Sequence, residues 1–168
     1  MAPSAIAIFT GVPSALLLAG YNIACSQAAV PAIQHLPAEL KVPAFTKLYM
    51  TNLKQFFLPS AATSLVSFGY LGTNAGIRGQ TGECIMYCGA AALMLGAGLV
   101  TKLVQLPGVE RLLEISETDA WEMNKEIEIE AAKLVKRWAA QNWLRVGLAA
   151  TAGGIGLYAA LAHKDTEI

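Results

Sequence analysis

Residues 81–103 read TGECIMYCGAAALMLGAGLVTKL, with one glutamate near the start, one lysine near the end and mostly apolar or small residues between them. A helix needs about 20 such residues to cross the ~30 Å hydrocarbon core of a bilayer. Three further runs of similar length and character occupy residues 5–30, 56–75 and 143–162. The sequence therefore predicts four membrane spans.

The composition of the 168-residue chain agrees with this prediction. It is 55% hydrophobic and 14% charged, and the charge lies almost wholly between the apolar runs. Only helices and closed barrels satisfy the backbone in lipid, and runs of this length without two-residue alternation favour helices. Small residues four apart, such as Ala149 with Gly153, allow helices to approach closely. We expect an all-α integral membrane four-helix bundle forming a single domain over residues 1–168.

The orientation follows from the loops, because lysine and arginine collect on the cytosolic side of membrane proteins. The two longer connections carry most of these residues, namely Lys41, Lys47, Lys54, Lys102, Arg111, Lys125, Lys133, Lys136 and Arg137. Both termini are therefore expected in the lumen, with both longer connections in the cytosol and the endoplasmic reticulum as the membrane. The first run has no basic residues before it and is longer than a usual signal peptide core, which favours a retained anchor.

The most charged part of the chain is residues 110–137. Ser116 and Asp119 have the spacing of a capping box, and apolar residues then recur at helical intervals from Ile127 to Trp138. This pattern predicts a cytosolic amphipathic helix over about residues 118–142 that continues into the fourth span. The formal net charge of zero gives no electrostatic reason to expect a nucleic acid partner. The three cysteines show no CxxC spacing and are interpreted as packing residues.

Polar residues inside a membrane are costly, and they are the candidates for function. Arg145 lies just inside the fourth span and shares a helix face with Trp138 and Asn142, at spacings of seven and three residues. An arginine at this depth also snorkels to lipid phosphates, which is the alternative interpretation.

The cytosolic end of the first span adds a second polar group. Tyr21, Asn22 and Ser26 lie there, and Asn22 and Ser26 are four residues apart on one helix face. His35 follows in the loop and is the only histidine expected on the cytosolic side, where it would titrate near neutral pH. We expect these side chains to face a neighbouring helix or a cavity.

The segment before the second span carries a third group. Phe45, Tyr49, Asn52 and Phe56 follow one another at helical spacing and would share one face. Such a stripe is typical of a core or of an interfacial aromatic belt. Together, three helices are expected to bring aromatic and amide groups to the cytosolic end of the bundle.

Four segments carry a resemblance to a known family. They are AGYNIACSQAAVPAI (residues 19–33), FTKLYMTNLKQFFLPS (45–60), TKLVQLPGVERLLEI (101–115) and WAAQNWLR (138–145), of which the last is the most specific. Over nearly its whole length the chain resembles the fungal anthrone oxygenase-like proteins, small four-span membrane proteins encoded with aromatic polyketide synthases. Where many relatives carry an asparagine shortly after the loop proline, this chain has GVER at residues 108–111.

The resemblance implies oxidation of an anthrone, a tricyclic phenolic ketone, to an anthraquinone with dioxygen. An anthrone anion is electron-rich enough to reduce dioxygen itself, so the protein needs to add a base, an oxyanion stabiliser and a dry aromatic pocket. His35 would be the base, with Tyr49 as the second candidate. Arg145 and Asn142 would polarise the substrate oxygens. The expected substrate-binding residues are Trp138, Asn22, Tyr21, Ser26 and Asn52.

Cofactors and partners follow from the same interpretation. Dioxygen is expected as co-substrate without a required cofactor, and no HxxH or HExxH spacing occurs, although a haem or metal held by one histidine stays open. The expected partners are an aromatic polyketide, the lipid bilayer and, as an option, a second copy of the chain. Alternative functions are a membrane scaffold that docks through residues 122–136, a small-molecule carrier, and a non-oxidative tailoring enzyme that uses the same base and oxyanion donors.

Overall fold

The computed structural model describes residues 3–117 and 125–164 of the chain. Every regular element in this part is helical, and three of the connections between α-helices are π-helical turns. In chain order the elements are α1 (Pro3–Ala24), π1 (Cys25–Ala29), α2 (Val30–Gln34), α3 (Ala38–Thr51), π2 (Asn52–Phe57), α4 (Leu58–Ile77), α5 (Thr81–Val100), π3 (Thr101–Gln105), α6 (Leu106–Glu117) and α7 (Lys125–Lys164).

Each π turn joins its flanking α-helices into one rod, so the bundle consists of three jointed rods and the unbroken helix α7. α1 packs on α4 and α7, and α5 also packs on α4 and α7, which makes a ring of four helices. The turn between α4 and α5 is short and contains Gly79 at a φ of 74°. Glycine is favoured there because, in any other residue type, this left-handed conformation brings Cβ too close to the following carbonyl oxygen.

Two apolar cores lie end to end along the bundle. The first fills the space between α1, α4, α5 and α7 and includes Leu18, Phe68 and Met94. The second lies between α2, α3, α6 and the first half of α7, and it includes Phe45 and Val135. The apolar seam of α7 runs through both cores, and this long shared contact stabilises the 40-residue helix, which is about 60 Å long.

Glycines allow the closest helix contacts in the first core. A Cβ on Gly156 would lie 2.5 Å from the ring of Phe68, and a Cβ on Gly153 would lie 2.7 Å from the side chain of Leu16. Gly153 and Gly156, which follow Ala149 and Ala152 by four residues, therefore allow side chains of neighbouring helices to pack directly against α7. By contrast, a Cβ on Gly154 would meet no atom within 4 Å.

Within the described part of the chain, three helices are long and apolar enough to cross a membrane, and they lie within residues Pro3–Gln34, Thr81–Glu117 and Lys125–Ala162. A helical membrane protein is compatible with this finding. The second predicted span, residues 56–75, lies mainly in α4, a full member of the ring that contains several serines, threonines and glycines. The count of four spans stays a prediction.

The structure corrects the expected connection between the third and fourth spans. Residues 106–117 form α6, and Ser116 lies in its last turn, where the hydroxyl donates to the carbonyl oxygen of Leu113 at 2.7 Å. The prediction that Ser116 begins a helix as a capping residue is therefore wrong. Asp119 and the predicted helix start at residue 118 lie outside the described residues, and α7 is continuous from Lys125 onward.

The π2 turn corrects the predicted aromatic stripe. A π turn contains more residues than an α turn, so it rotates the positions that follow it. Phe45, Tyr49 and Asn52 are buried as expected, but Phe56 is 41% exposed and Phe57 is only 4% exposed. Phe57 therefore takes the inward position that regular α-helical spacing assigns to Phe56.

Candidate functional site

A group of buried polar side chains lies at the junction of the two apolar cores. One comes from α1, one from π2, two from π3 and two from α7, so every rod contributes to it. Polar groups in such a position cost free energy unless they are paired, and π turns occur frequently at functional sites. We call this group the polar cluster, and it consists of Asn22, Asn52, Thr101, Gln105, Asn142 and Arg145.

Arg145 is the charged member of the polar cluster, and its side chain is 2% exposed. Its Nη1 donates to Oε1 of Gln105 at 2.9 Å, and its guanidinium carbon lies 4.1 Å from the centre of the Phe57 ring. Both Nε and Nη2 are buried without a hydrogen-bond partner in the structure. The guanidinium points into the bundle, which is the opposite of snorkelling to the lipid phosphates.

Asn142 ties α7 to the first rod. Its Nδ2 donates to the main-chain oxygen of Asn22 and to the hydroxyl oxygen of Ser26, each at 2.9 Å. The Ser26 hydroxyl in turn donates to the carbonyl oxygen of Ala139 at 3.4 Å. The Oδ1 atoms of Asn22 and Asn142 stay buried and unpaired. The cluster thus offers acceptors as well as donors.

Aromatic rings cover the end of the polar cluster that faces the second core. The Trp138 ring lies edge-on to Phe45 at 5.2 Å and to Tyr49 at 6.2 Å between ring centres. Trp138 Nε1 and the Tyr49 hydroxyl are both buried without a hydrogen-bond partner. Buried tryptophan and tyrosine normally pair these polar atoms, so this end of the cluster can donate two further hydrogen bonds.

Cys25 in π1 also contacts the polar cluster. Asn52 Nδ2 donates to Cys25 Sγ at 3.8 Å, while Asn52 Oδ1 is unpaired. Cys25 also belongs to the second apolar core, so its packing role stands beside this polar contact. Cys25 and Tyr49 lie within electrostatic range of Arg145. These are the titratable groups that lie close to the buried guanidinium.

Two of the sequence-predicted site residues lie on the outside of the bundle rather than in or against the polar cluster. His35 follows α2 and is exposed, and Tyr21 is half-buried. The Tyr21 ring is stacked on Phe56, with 4.1 Å between ring centres and 9° between ring planes. This pair lines a groove of about 870 Å³ on the outside of the bundle, together with Leu18 and other apolar residues of α1. The structure therefore does not bring His35 together with Arg145.

A second opening lies on the opposite side of the polar cluster. It is a cavity of about 230 Å³ between π3, α6 and α7. Gln105 and Trp138 line it from the cluster side, and Gly108, Arg137 and Gln141 line it from the outside. A small molecule in this cavity would contact the residue that holds the Arg145 guanidinium.

Three functional candidates were not predicted from the sequence. The sequence contains one indication of Gln105, because its amide lies among apolar residues and follows Thr101 by four residues, on the same helix face. Phe57 carries none, because only the π2 turn shows which phenylalanine faces inward. Cys25 was interpreted as a packing residue, and its contact with Asn52 requires two separate rods to be placed side by side.

The polar side chains that could bind a ligand are mainly amides, together with one guanidinium group. Within residues 3–117 and 125–164, no group of three or more histidine, cysteine, aspartate or glutamate side chains is arranged to hold a metal ion. The chemistry that these residues offer directly is hydrogen bonding to oxygen atoms and electrostatic stabilisation of an anion.

Comparison with known proteins identifies the family. No curated protein and no solved structure matches the chain. The model of the family described as anthrone oxygenase matches residues 45–155, which is about two thirds of the 168 residues. The match includes Tyr49, Asn52, Gln105 and the α7 part of the polar cluster, whereas the resembling segment at residues 19–33 lies before it. The chain belongs to the anthrone oxygenase family.

Proposed function

We propose that the protein is an oxygenase that converts an anthrone-type aromatic polyketide into an anthraquinone with dioxygen. One observation carries this proposal: a buried arginine has two unpaired guanidinium nitrogens and lies beside buried aromatic rings. Preorganised donors in a site that excludes water stabilise developing negative charge far better than donors in water do. The family membership supports the same class of reaction.

The chemistry balances without a further reductant. A base removes a proton from the central methylene of the anthrone, and the resulting anion passes one electron to dioxygen. Superoxide and the carbon radical combine to a peroxide anion at that carbon, which takes back the proton held by the base and becomes a hydroperoxide. Loss of water then leaves the second carbonyl of the quinone. Each turnover consumes one anthrone and one dioxygen and yields one anthraquinone and one water.

Residues of the polar cluster and the aromatic rings beside it can perform each step. Arg145 donates to the ketone oxygen, which lowers the cost of forming the anion. The unpaired Oδ1 of Asn142 accepts a hydrogen bond from a phenol hydroxyl of the substrate, since both protons of its Nδ2 are already used. Trp138 presents a ring face to the planar substrate. We assign the base to Tyr49, whose buried and unpaired phenol oxygen must be ionised to accept the proton, whereas His35 is exposed. Burial raises the pKa of Tyr49, and the charge of Arg145 lowers it. His35 stays the second candidate for the base.

We further propose that the chain spans the membrane of the endoplasmic reticulum four times, with the polar cluster near the cytosolic face. The asymmetry of lysine and arginine between the connections supports this orientation. An apolar polyketide made in the cytosol would partition into this membrane and reach the cluster through the cavity at Gln105 or the groove at Tyr21. No protein partner is needed for this route.

A non-oxidative tailoring reaction is the second candidate, because the same donors and base would serve a cyclisation. The observation that favours it is the group of buried hydrogen-bond donors without partners. These donors would stabilise an enolate whether it then reacts with dioxygen or cyclises. The scaffold alternative has less support, since the apolar face of α7 near Ala131 and Val135 already packs on the protein's own helices.

The deciding experiment measures oxygen uptake by detergent-purified, chelator-treated protein after addition of emodin anthrone. We expect uptake and anthraquinone formation in a ratio of one to one, well above the background autoxidation. The Arg145→Gln variant should lose about 100-fold or more of the rate, as expected for removal of an oxyanion donor.

Arg78→Gln is the matched control, because Arg78 is an exposed arginine at the other end of the bundle. It should react like the unmodified protein. Consumption of the anthrone without oxygen uptake would establish the non-oxidative reaction instead. Absence of any reaction, with a folded protein, would refute both candidates.

A further inference from the structure

The positive charge of Arg145 has no negative partner in the described structure. A guanidinium stays protonated even when buried. Its closest polar contact is the neutral amide of Gln105, and its flat face lies on Phe57. The ion pairs that Arg111 forms with Glu114 and Glu130 lie on exposed side chains and do not include Arg145. A buried charge without a counter-charge is strongly unfavourable, so its presence calls for an explanation.

Gln105 occupies the position in which an acidic residue would complete the ion pair. Its Oε1 lies 2.9 Å from Arg145 Nη1, a typical distance for a charged pair, and its side chain has the same shape as glutamate. The amide therefore holds the guanidinium in place without neutralising it. The other side of the amide, Nε2, is buried and unpaired next to the cavity.

The donors without hydrogen-bond partners indicate the chemistry of a ligand that would complete the site. Arg145 Nε and Nη2 are free to donate, and so are Trp138 Nε1 and Gln105 Nε2. Aromatic rings from Phe57, Trp138 and Tyr49 enclose the same region. A planar aromatic molecule with a negatively charged oxygen would complement both the donors and the rings.

We propose that this site binds its substrate as an aromatic oxyanion, an ionised phenol or enolate, and that Gln105 is the positioning residue that keeps the site positively charged for it. The proposal rests on the proposed function and adds the ionisation state of the bound substrate. The substrate itself completes the ion pair that Gln105 leaves open. A neutral molecule of the same shape would leave Arg145 buried and unpaired.

The test follows the absorbance of emodin, whose ionised form absorbs at longer wavelength than its neutral form. Bound to the purified protein, emodin should ionise at a pH at least one unit lower than free emodin does, which corresponds to a tenfold preference for the anion. Tyr49 and Cys25 also titrate near Arg145, and the long-wavelength band of emodin separates its ionisation from theirs. The trimethyl ether of emodin, which cannot ionise, should bind at least tenfold more weakly.

Gln105→Glu is the decisive variant, because it adds the missing negative charge with little change in shape. It should abolish the preference for ionised emodin while raising the thermal unfolding midpoint, since it closes a buried ion pair. Gln105→Met keeps the site uncharged at this position and should keep the preference for the anion. A purely structural role of Gln105 would not separate these two variants by the charge of the ligand.

Several results would overturn the proposal. One is unmodified protein that binds emodin and its trimethyl ether equally, and this result is decisive even where Gln105→Glu does not fold. Others are emodin that ionises identically when bound and free, and Gln105→Glu that retains the anion preference. Oxygen uptake with emodin anthrone is measured separately. A protein that binds the anion but consumes no oxygen would refute the oxygenase and leave the anion site established.

Discussion

Asn142 on the unbroken helix α7 donates through Nδ2 to the main-chain oxygen of Asn22 at 2.9 Å. This hydrogen bond joins α7 to the first rod of the bundle. The same nitrogen donates to Ser26, so both of its protons have partners. These bonds lie at the level where the two apolar cores meet, and they fix the position of the helix that carries Arg145. The geometry of the polar cluster therefore depends on the contact between α1 and α7.

Replacing Asn142 should weaken the fold as well as the activity. Asn142→Ala leaves the Asn22 carbonyl oxygen without its side-chain donor and should lower the free energy of unfolding by about 1–3 kcal/mol. Thermal unfolding in detergent measures this change. Ser26→Ala removes only one of the two Asn142 bonds, together with the long 3.4 Å bond from Ser26 to Ala139, and should cost less. Equal losses in the two variants would show that the Asn22 contact contributes nothing to stability.

The base can be identified by comparing two variants in the oxygen-uptake assay. Tyr49→Phe removes a buried, unpaired hydroxyl and should lower the turnover rate by about 100-fold, in the range of general base catalysis. His35→Gln should change the rate less than about threefold, because the side chain is exposed and distant from the polar cluster. A large loss in His35→Gln with full activity in Tyr49→Phe would reverse this assignment.

The tight contact at Gly156 predicts a position-specific effect of one methyl group. Gly156→Ala places a Cβ 2.5 Å from the Phe68 ring, and the forced movement should cost about 1–3 kcal/mol of stability. Gly154→Ala lies two residues away, meets no atom within 4 Å, and should be neutral or slightly stabilising through its higher helix propensity. Chemical denaturation of both variants in detergent provides the comparison.

The ion pair between α6 and α7 predicts a pH dependence. Arg111 Nε donates to Glu130 Oε1 at 2.9 Å, and this bond lowers the pKa of Glu130 from its ordinary value of 4.5. A carboxyl group with a lowered folded-state pKa stabilises the protein above the unfolded value, and that contribution is lost as the pH falls through the folded value. The unmodified protein should therefore have a higher unfolding midpoint than Glu130→Gln at neutral pH.

The difference between these two proteins should shrink as the pH falls below 4.5. It should also shrink in high salt, because both side chains are well exposed to solvent. Thermal unfolding from neutral to acidic pH at two salt concentrations measures both effects. A difference that stays constant with pH would mean that Glu130 acts through something other than its charge.

Several features of the fold could be predicted from the sequence because they depend on local composition and periodicity. Runs of apolar residues predicted long helices, and the spacing of Trp138, Asn142 and Arg145 placed them on one face of the last helix. All three are buried on that face. The resemblance carried by residues 45–60, 101–115 and 138–145 is confirmed at the family level by the match to residues 45–155.

Other features could not be predicted, because they depend on departures from regular periodicity or on contacts between rods. The π2 turn places Phe57 instead of Phe56 at the inward position, and the regular helical periodicity of the sequence does not show where such a turn occurs. The pairing of Gln105 with Arg145 joins residues 40 positions apart on different rods. His35 and Tyr49 were both reasonable bases by residue type, and only their burial distinguishes them.

The sequence by itself determined the helical class, the family, and the residue types available for chemistry, because apolar length and helical spacing are properties of one segment at a time. The tertiary structure decided which polar groups meet and which remain unpaired. These contacts exist only when the three rods and α7 pack together, because packing removes water from Arg145 and leaves the neutral Gln105 as its hydrogen-bond partner. The charge of the interior is therefore a property of the assembled bundle, set by which side chains the packing brings into contact.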